Sequence, residues 1–370
     1  MPGIYIHIPF CTSKCRYCDF TSYPGKIGFA EAYMACVYKE MKLRAKDLSG
    51  RVFDTIYFGG GTPSVIDAKL IVGCMNRLRE CYRLAEGAEV TIELNPGTVD
   101  AEKIAAYKRA GIGRFSIGLQ TAVDAQLEDL GRIHTAADFL HACELIGDAN
   151  KSADIMIGLK GQTEADVRAS IDLALRGGVS HISMYALTPE DGTPIYTDYL
   201  NGELPDADEV AALYDSARAY LKRLGFERYE VSNFAKKGFE SRHNLNYWRR
   251  GEYIGFGVDA SSFMCGRRFT NTRDLDDYIK CILSDHYPVV SDEEIVGDDA
   301  KFEKVMLALR TEEGLDIAAY RREFGSEFVL DFEEALVKNK GYFDLVDGKR
   351  VKIKEKYLYV QNHILMDFLK

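Results

Sequence analysis

The chain has 370 residues and a mass of 41.6 kDa, with 46% apolar and 28% charged residues. That balance excludes a disordered chain, a collagen and a small disulfide scaffold, and it allows about two domains or one large barrel with an appendage. The 57 acidic residues outnumber the 47 basic ones; the net charge of −10 argues against a general binder of nucleic acid or anionic membrane.

No apolar run is long enough to span a bilayer, so no transmembrane segment is expected. Met1–Phe10 has no basic leader region, so no signal peptide and a cytoplasmic address are expected. The first element, Ile4–Ile8, alternates like a strand and runs into Cys11-Thr12-Ser13-Lys14-Cys15-Arg16-Tyr17-Cys18. Nine cysteines is an odd number, which argues against a fully paired framework. Cys36, Cys74, Cys81, Cys143, Cys265 and Cys281 are scattered and read as small buried hydrophobes. Cys11, Cys15 and Cys18 are close enough to suggest a metal or cluster. A zinc site would need His7 as fourth ligand, yet the strand pattern aims His7 by the sheet and not by the loop. A [4Fe–4S] cube on three thiolates leaves one iron open, and ferredoxin loops carry a further cysteine that this region lacks.

Further along, strands are expected at Thr55–Phe58, Val90–Leu94, Phe115–Leu119, Ile155–Leu159 and His181–Ala186. Amphipathic helices are expected at Phe29–Leu43, Ala68–Tyr82, Ala101–Ala110, Ala136–Ile146 and Glu164–Leu175. Such alternation implies a parallel sheet with helices outside, an open (β/α)6 arc. Gly59, Gly60, Gly61, Gly97, Gly118, Gly161 and Gly192 mark its turns. Leu200–Ala207 reads as a linker before a helix at Asp208–Leu224, and Arg228–Phe263 fits no simple period. From about Asp298, helices at Lys301–Leu309, Ile317–Phe324 and Phe332–Asn339 precede strands at Tyr342–Val346 and Val351–Ile353 joined by an Asp347-Gly348 turn. Three helices and a hairpin resemble a winged helix; net acidity and the lack of a basic recognition helix argue against a DNA reader. The expected organisation is a barrel over 1–205, a barrel-edge extension over 206–297 and a winged-helix-like domain over 298–370.

Barrel chemistry sits where strands end and loops begin. Gly59-Gly60-Gly61-Thr62-Pro63 would let a ligand approach bare backbone, whose carbonyls accept from an ammonium group. Glu93 could accept from ribose hydroxyls, Gln120 offers both donor and acceptor, and Arg132 offers a fork for a carboxylate. Tyr5 lies in the first strand and Ala186 in the sixth; Asp154 falls at the far end of the fifth. Each alone has an ordinary reading as a glycine-rich turn or a rim salt bridge.

C-x3-C-x2-C with Tyr17 before the last cysteine is the signature of the radical S-adenosylmethionine (SAM) superfamily. With Tyr5-Ile6-His7-Ile8-Pro9-Phe10-Cys11, Gly59-Gly60-Gly61-Thr62-Pro63, Gly118-Leu119-Gln120-Thr121 and Gly158-Leu159-Lys160-Gly161-Gln162-Thr163, the chain resembles the oxygen-independent coproporphyrinogen III oxidase-like family over nearly its whole length. The resemblance implies an α/β fold: a partial (β/α)6 TIM-type barrel of the radical SAM type with a C-terminal winged-helix-like α+β domain. It implies that Cys11, Cys15 and Cys18 hold a [4Fe–4S] cluster whose open iron takes the amino and carboxylate groups of SAM. Electron transfer from the cluster then cleaves the sulfonium to a 5′-deoxyadenosyl radical. Tyr5, Tyr17, Gly60, Gly61, Thr62 and Glu93 would line the SAM pocket. Gln120, Arg132, Asp154 and Ala186 match positions that contact a second SAM in the oxidase branch. Lys160 departs from the pattern, where proline is expected.

Two features favour the haem chaperone (HemW-type) branch of that family. Phe20 stands where the oxidases carry a fourth cysteine, and Cys11 follows only ten residues, where they have a long extension. The H-N-x-x-Y-W motif of that branch is present as His243-Asn244-Leu245-Asn246-Tyr247-Trp248. The resemblance implies a protein that binds haem, with His243 as axial ligand and aromatics stacked on the macrocycle, and delivers it to acceptor haemoproteins, those at the membrane among them. Coproporphyrinogen oxidase activity is not expected. The alternative is the oxidase itself, decarboxylating porphyrinogen propionates; a third reading is a haem-degrading methyltransferase relative. His7, His134, His141, His181, His286 and His363 are assigned no special role.

Overall fold

The computed structural model describes residues 1–369. Six parallel strands carry its first half: β1 (Gly3–Ile8), β2 (Val52–Gly60), β3 (Arg83–Leu94), β4 (Arg114–Gln120), β5 (Asn150–Ile157) and β6 (His181–Ala186). Each pairs with the next in chain order. Helices α1 (Ala30–Arg44), α2 (Ala68–Cys81), α3 (Ala101–Arg109), α4 (Ala136–Ile146) and α5 (Glu164–Arg176) lie between them in sequence. The open (β/α)6 arc is present, as expected.

The strands divide their residues by period two. Ile4, Ile6 and Ile8 of β1, Phe58 of β2 and Ile117 of β4 share one core with Val37 of α1 and Leu78 of α2. The alternate positions are polar: Tyr57, Glu93, Ser116, Asp154 and Ser183 line a cavity inside the arc. A lumen with this lining is a wet chamber and not the packed interior of a closed barrel.

Helix starts are fixed locally. Thr135 and Thr163 each make a capping box, with Asp138 and Asp166 respectively, which satisfies exposed amides at the N-termini of α4 and α5.

Residues beyond 205 extend the same sheet at both ends. At the β6 edge, β7 (Glu227–Arg228) and β8 (Asn233–Ala235) add antiparallel. At the β1 edge, β9 (Tyr253–Phe256) adds parallel, followed by antiparallel β10 (Ser261–Met264), β11 (Arg267–Asn271) and β12 (Val289–Glu294). The result is one sheet of 12 strands. Arg228–Phe263 shows no period because its strands are short and its one helix, Arg242–Trp248, spans two turns.

The last segment has its own core, with Val305, Leu309, Tyr320, Phe328, Phe332 and Phe368 buried together. Helices Gly297–Ala308 and Ile317–Phe324 pack there with a three-stranded sheet of β13 (Leu315–Asp316), β14 (Phe343–Val346) and β15 (Arg350–Ile353). Ion pairs Arg250–Glu303 and Arg228–Glu312 tie this unit to the strands before it.

Two expectations need correction. The fifth strand is Asn150–Ile157, not Ile155–Leu159; Gly158, at φ +86°, ends it. Asp154 therefore lies within the strand and not at its far end. The lone cysteines are not uniformly buried either: Cys36, Cys74 and Cys143 are, Cys81 and Cys281 are half-buried, and Cys265 is exposed. The Cys265 thiol lies 2.9 Å from Arg51 Nη2 on a surface turn.

Candidate functional site

The three clustered cysteines leave the carboxyl end of β1. Phe10–Cys11 pairs with Tyr23–Pro24 and closes the loop at its base. Its middle is held from both sides. The Arg16 amide donates to the Leu130 carbonyl at 3.0 Å, and the Ile195 amide donates to the Arg16 carbonyl at 3.0 Å. The Arg16 guanidinium reaches Asp129 at 2.8 Å with one arm and both oxygens of Asp198 with the other. Cys11, Cys15 and Cys18, all free thiols, line the mouth of the cavity as a result.

The glycines after β2 make that approach possible. A Cβ on Gly60 would stand 2.9 Å from the His7 ring, and φ there is +115°. A Cβ on Gly61 would stand 2.8 Å from the Phe10 carbonyl oxygen and 2.9 Å from Cys11 Sγ. Neither position has space for a side chain. Thr62 Oγ1 lies 3.6 Å from Cys11 Sγ.

The donor set fits an iron–sulfur cube better than a single ion. Among the described residues, no three His, Cys, Asp or Glu side chains converge as ligands of one metal ion. A cube takes one thiolate per iron, so its cysteines stand apart around it. His7 does not turn to the thiols: one ring nitrogen faces the Thr21 carbonyl at 2.9 Å and the other bonds Tyr5 Oη at 3.1 Å.

Below the cysteines the cavity has a volume of about 590 Å³. Glu93 accepts from Tyr57 Oη at 2.8 Å, and burial pushes its carboxyl up to about 7. Asp154 accepts from Ser116 Oγ at 3.2 Å and is raised by burial to about 6. Arg132 sets Nη1 3.6 Å from Cys15 Sγ and 3.4 Å from Tyr17 Oη, while Nη2 donates to the Gly118 carbonyl at 3.0 Å. Gln120 adopts φ +68°, and its buried Oε1 has no partner. Strain at a non-glycine residue together with an orphaned acceptor is the mark of a ligand position.

Tyr17, Gly60, Gly61, Thr62, Glu93, Gln120, Arg132, Asp154 and Ala186 all line this cavity with the three cysteines. Two expected residues do not. Tyr5 sits behind the lining, stacked on Tyr57 with ring centroids 6.3 Å apart. His243 is a core residue, 1% exposed. Its Nδ1 bonds Thr55 Oγ1 at 2.8 Å and its Nε2 bonds Tyr247 Oη at 2.7 Å. Tyr57 stacks on the ring at 5.1 Å, and burial lowers its pKa to about 3, so the imidazole is neutral. With both nitrogens engaged, it offers no free lone pair to a haem iron here; the expected axial ligand is not preformed. Other lining residues, among them Arg114, His181, Tyr185 and Asn233, were missed. The signal was available: Arg114 and Tyr185 fall on the polar alternate positions of β4 and β6.

A family model described as the Radical SAM superfamily matches residues 5–174. Heme chaperone HemW of Mycobacterium tuberculosis (strain ATCC 25618 / H37Rv) is 34% identical over 324 residues, spanning 85% of this chain and 83% of that protein. Heme chaperone HemW of Lactococcus lactis subsp. lactis (strain IL1403) is 30% identical over 374 residues, spanning 99% and 96%. Among solved structures, the coproporphyrinogen III oxidase HemN of Escherichia coli, a radical SAM enzyme, superposes with a TM-score of 0.87. That match covers 100% of this chain and 90% of the other at 20% identity, a likeness of fold. The chain thus belongs to the radical SAM superfamily, whose chemistry rests on a [4Fe–4S] cluster and SAM, and within it to the family of the heme chaperone HemW proteins.

Proposed function

We propose that this protein binds haem and hands it to acceptor haemoproteins, with Cys11, Cys15 and Cys18 holding a [4Fe–4S] cluster and the lumen holding SAM. The observation that carries this reading is the 30–34% identity along 83–96% of the length of proteins named as heme chaperones. When bound, the cluster supplies an electron and an open iron corner for the amino and carboxylate groups of SAM.

The chain's own residues supply the rest. Gly60 and Gly61 let the ligand lie against backbone. Glu93 accepts from ribose hydroxyls, and Arg132 forks onto a carboxylate beside Cys15. Gln120, Asp154 and Ala186 continue the lining inward. Phe20, 71% exposed, and Ile133 stand at the cavity mouth and give its rim an apolar surface suited to a porphyrin face. His243 reaches an iron only by giving up Tyr247. A cytoplasmic address and an acceptor at the membrane belong to the same reading.

The test is anaerobic reconstitution of the full chain, haem titration, and product analysis with coproporphyrinogen III. Stoichiometric haem binding without conversion to protoporphyrinogen is expected. Turnover to protoporphyrinogen would make the protein an oxidase. If His243 exchanges Tyr247 for iron, His243→Ala displaces the haem absorption band; an unchanged band assigns the residue to the core.

A further inference from the structure

Arg114 opens β4 at the end of the lumen away from the cysteines. It is 3% exposed and lines the same cavity. Nη1 donates to the Phe239 carbonyl at 2.9 Å; Nη2 is buried and has no partner. Among the described residues no carboxylate comes within ion-pair distance of it, although the charge of Asp154 acts on it from farther off. Other buried guanidinium groups are treated differently: Arg44 holds Glu40, Arg228 holds Glu312 and Arg250 holds Glu303. A buried guanidinium with an unmade hydrogen bond and no direct ion pair is costly, so folds rarely keep one without a purpose.

A second orphan donor lies beside it: Thr91, the register partner of Arg114 on β3, lines the same cavity, and its buried Oγ1 has no partner. His181, beside them, is not a competitor. Its nitrogens are occupied by Ser152 Oγ at 2.6 Å and Tyr229 Oη at 2.7 Å, and burial keeps it neutral. Of the other charged groups in the lining, Glu93, Asp154 and Arg132 belong to the region already assigned to SAM, Lys14 and Asp19 to the cysteine loop, and Glu190 to the loop after β6.

We propose that the lumen floor is a second, anion-binding subsite that takes an alkyl carboxylate, with Arg114 Nη2 and Thr91 Oγ1 donating to its oxygens. The carboxylate comes either from a free small acid or from a propionate arm of haem. The second source rests on the function proposed above; the first does not.

The experiment uses the cluster-loaded full chain, the variants Arg114→Gln and Thr91→Val, and three probes: sodium propionate, haem and haem dimethyl ester. Thr91→Val keeps the side-chain shape, so it reports on the site even if the arginine variant folds poorly. A haem propionate in the subsite predicts that both variants weaken haem binding, Arg114→Gln by tenfold or more, and leave the ester unchanged. A free acid in the subsite predicts a saturable thermal shift with propionate that both variants abolish, with haem and ester indistinguishable. Should the parent bind no haem, the haem proposal fails and the propionate arm alone decides the subsite. Equal responses of parent and variants to all three probes would overturn it and leave Arg114 solvated by water alone.

Discussion

Glu93 sits in the lumen with the Tyr57 hydroxyl and the Gly60 backbone amide stabilising its charged form, and burial still lifts its carboxyl to about 7. Asp154, one of its neighbours, is lifted to about 6 for the same reason. The folded chain therefore holds these protons more tightly than the unfolded chain does. Each carboxyl adds stability that is complete below its ordinary carboxylate range and is lost as pH rises through 6 to 7. For Glu93 the displacement is worth on the order of 3 kcal/mol. Glu93→Gln should then melt above the parent at pH 8 and close to it at pH 4, with the gap opening between those values. Parallel melting curves at every pH would contradict the burial argument. His243 runs the opposite way. Burial depresses its pKa, so it adds stability above about 6.5 that is lost as pH falls toward 3. Near neutral pH the raised Glu93 carboxyl is partly protonated, which lowers the negative charge that faces a ligand carrying its own carboxylate.

At the scale of elements, the cysteine loop illustrates how a short segment is aimed. Within Thr12–Ser22 only Tyr17 packs, against Leu130, Met156 and Leu159; the fixed points are the Phe10–Cys11 pairing, two backbone hydrogen bonds at Arg16, the Arg16 ion pairs to Asp129 and Asp198, and Thr21 held by His7 and Asp259. Half-exposed pairs of this kind are worth about 1 kcal/mol or less each. Arg16→Ala should shift the melting temperature by only a few degrees. It should also hasten loss of the cluster's visible absorption in air several-fold, because the thiols lose their alignment and not their chemistry. An unchanged bleaching rate would mean that the backbone bonds, Thr21 and Tyr17 aim the loop without the Arg16 ion pairs. These ion pairs were invisible in sequence, since Asp129 and Asp198 lie far from Arg16 along the chain. The strands were more legible. Ile4–Ile8 and His181–Ala186 announce themselves by alternation, whereas Asn150–Asp154 hides because β5 turns Ser152 and Asp154 inward and so breaks the apolar run. The cysteine spacing and the glycine run needed no structure at all. The fate of His243 did: no pattern reveals that Thr55 and Tyr247 close on both sides of its ring.

For the whole molecule, the sheet is the organising object. Six parallel strands form the chamber, two short strands extend it past β6, and four more extend it past β1. The segment 206–297 thus supplies both flanks, and its Ser241 and Asn244 line the chamber as well. The unit after it keeps a separate core and meets the rest through ion pairs at Arg228 and Arg250. Its hairpin and helices match the sequence pattern because the Asp347-Gly348 turn and the apolar spacing are local signals; the third strand, Leu315–Asp316, and the long-range pairing of β9 with β1 leave no such signal. Among the described residues, no helix is long and apolar enough to cross a membrane. The residues proposed to hold the cluster and SAM gather at one end of the arc, where the thiols overlook the chamber. The most direct test is electron paramagnetic resonance, with metal analysis, on the anaerobically reconstituted full chain before and after SAM is added. The account predicts about four irons per chain, a reduced-cluster signal that changes with SAM, and loss of both in Cys11→Ser, Cys15→Ser or Cys18→Ser. Zinc in place of iron, or a cluster signal indifferent to SAM, would contradict it.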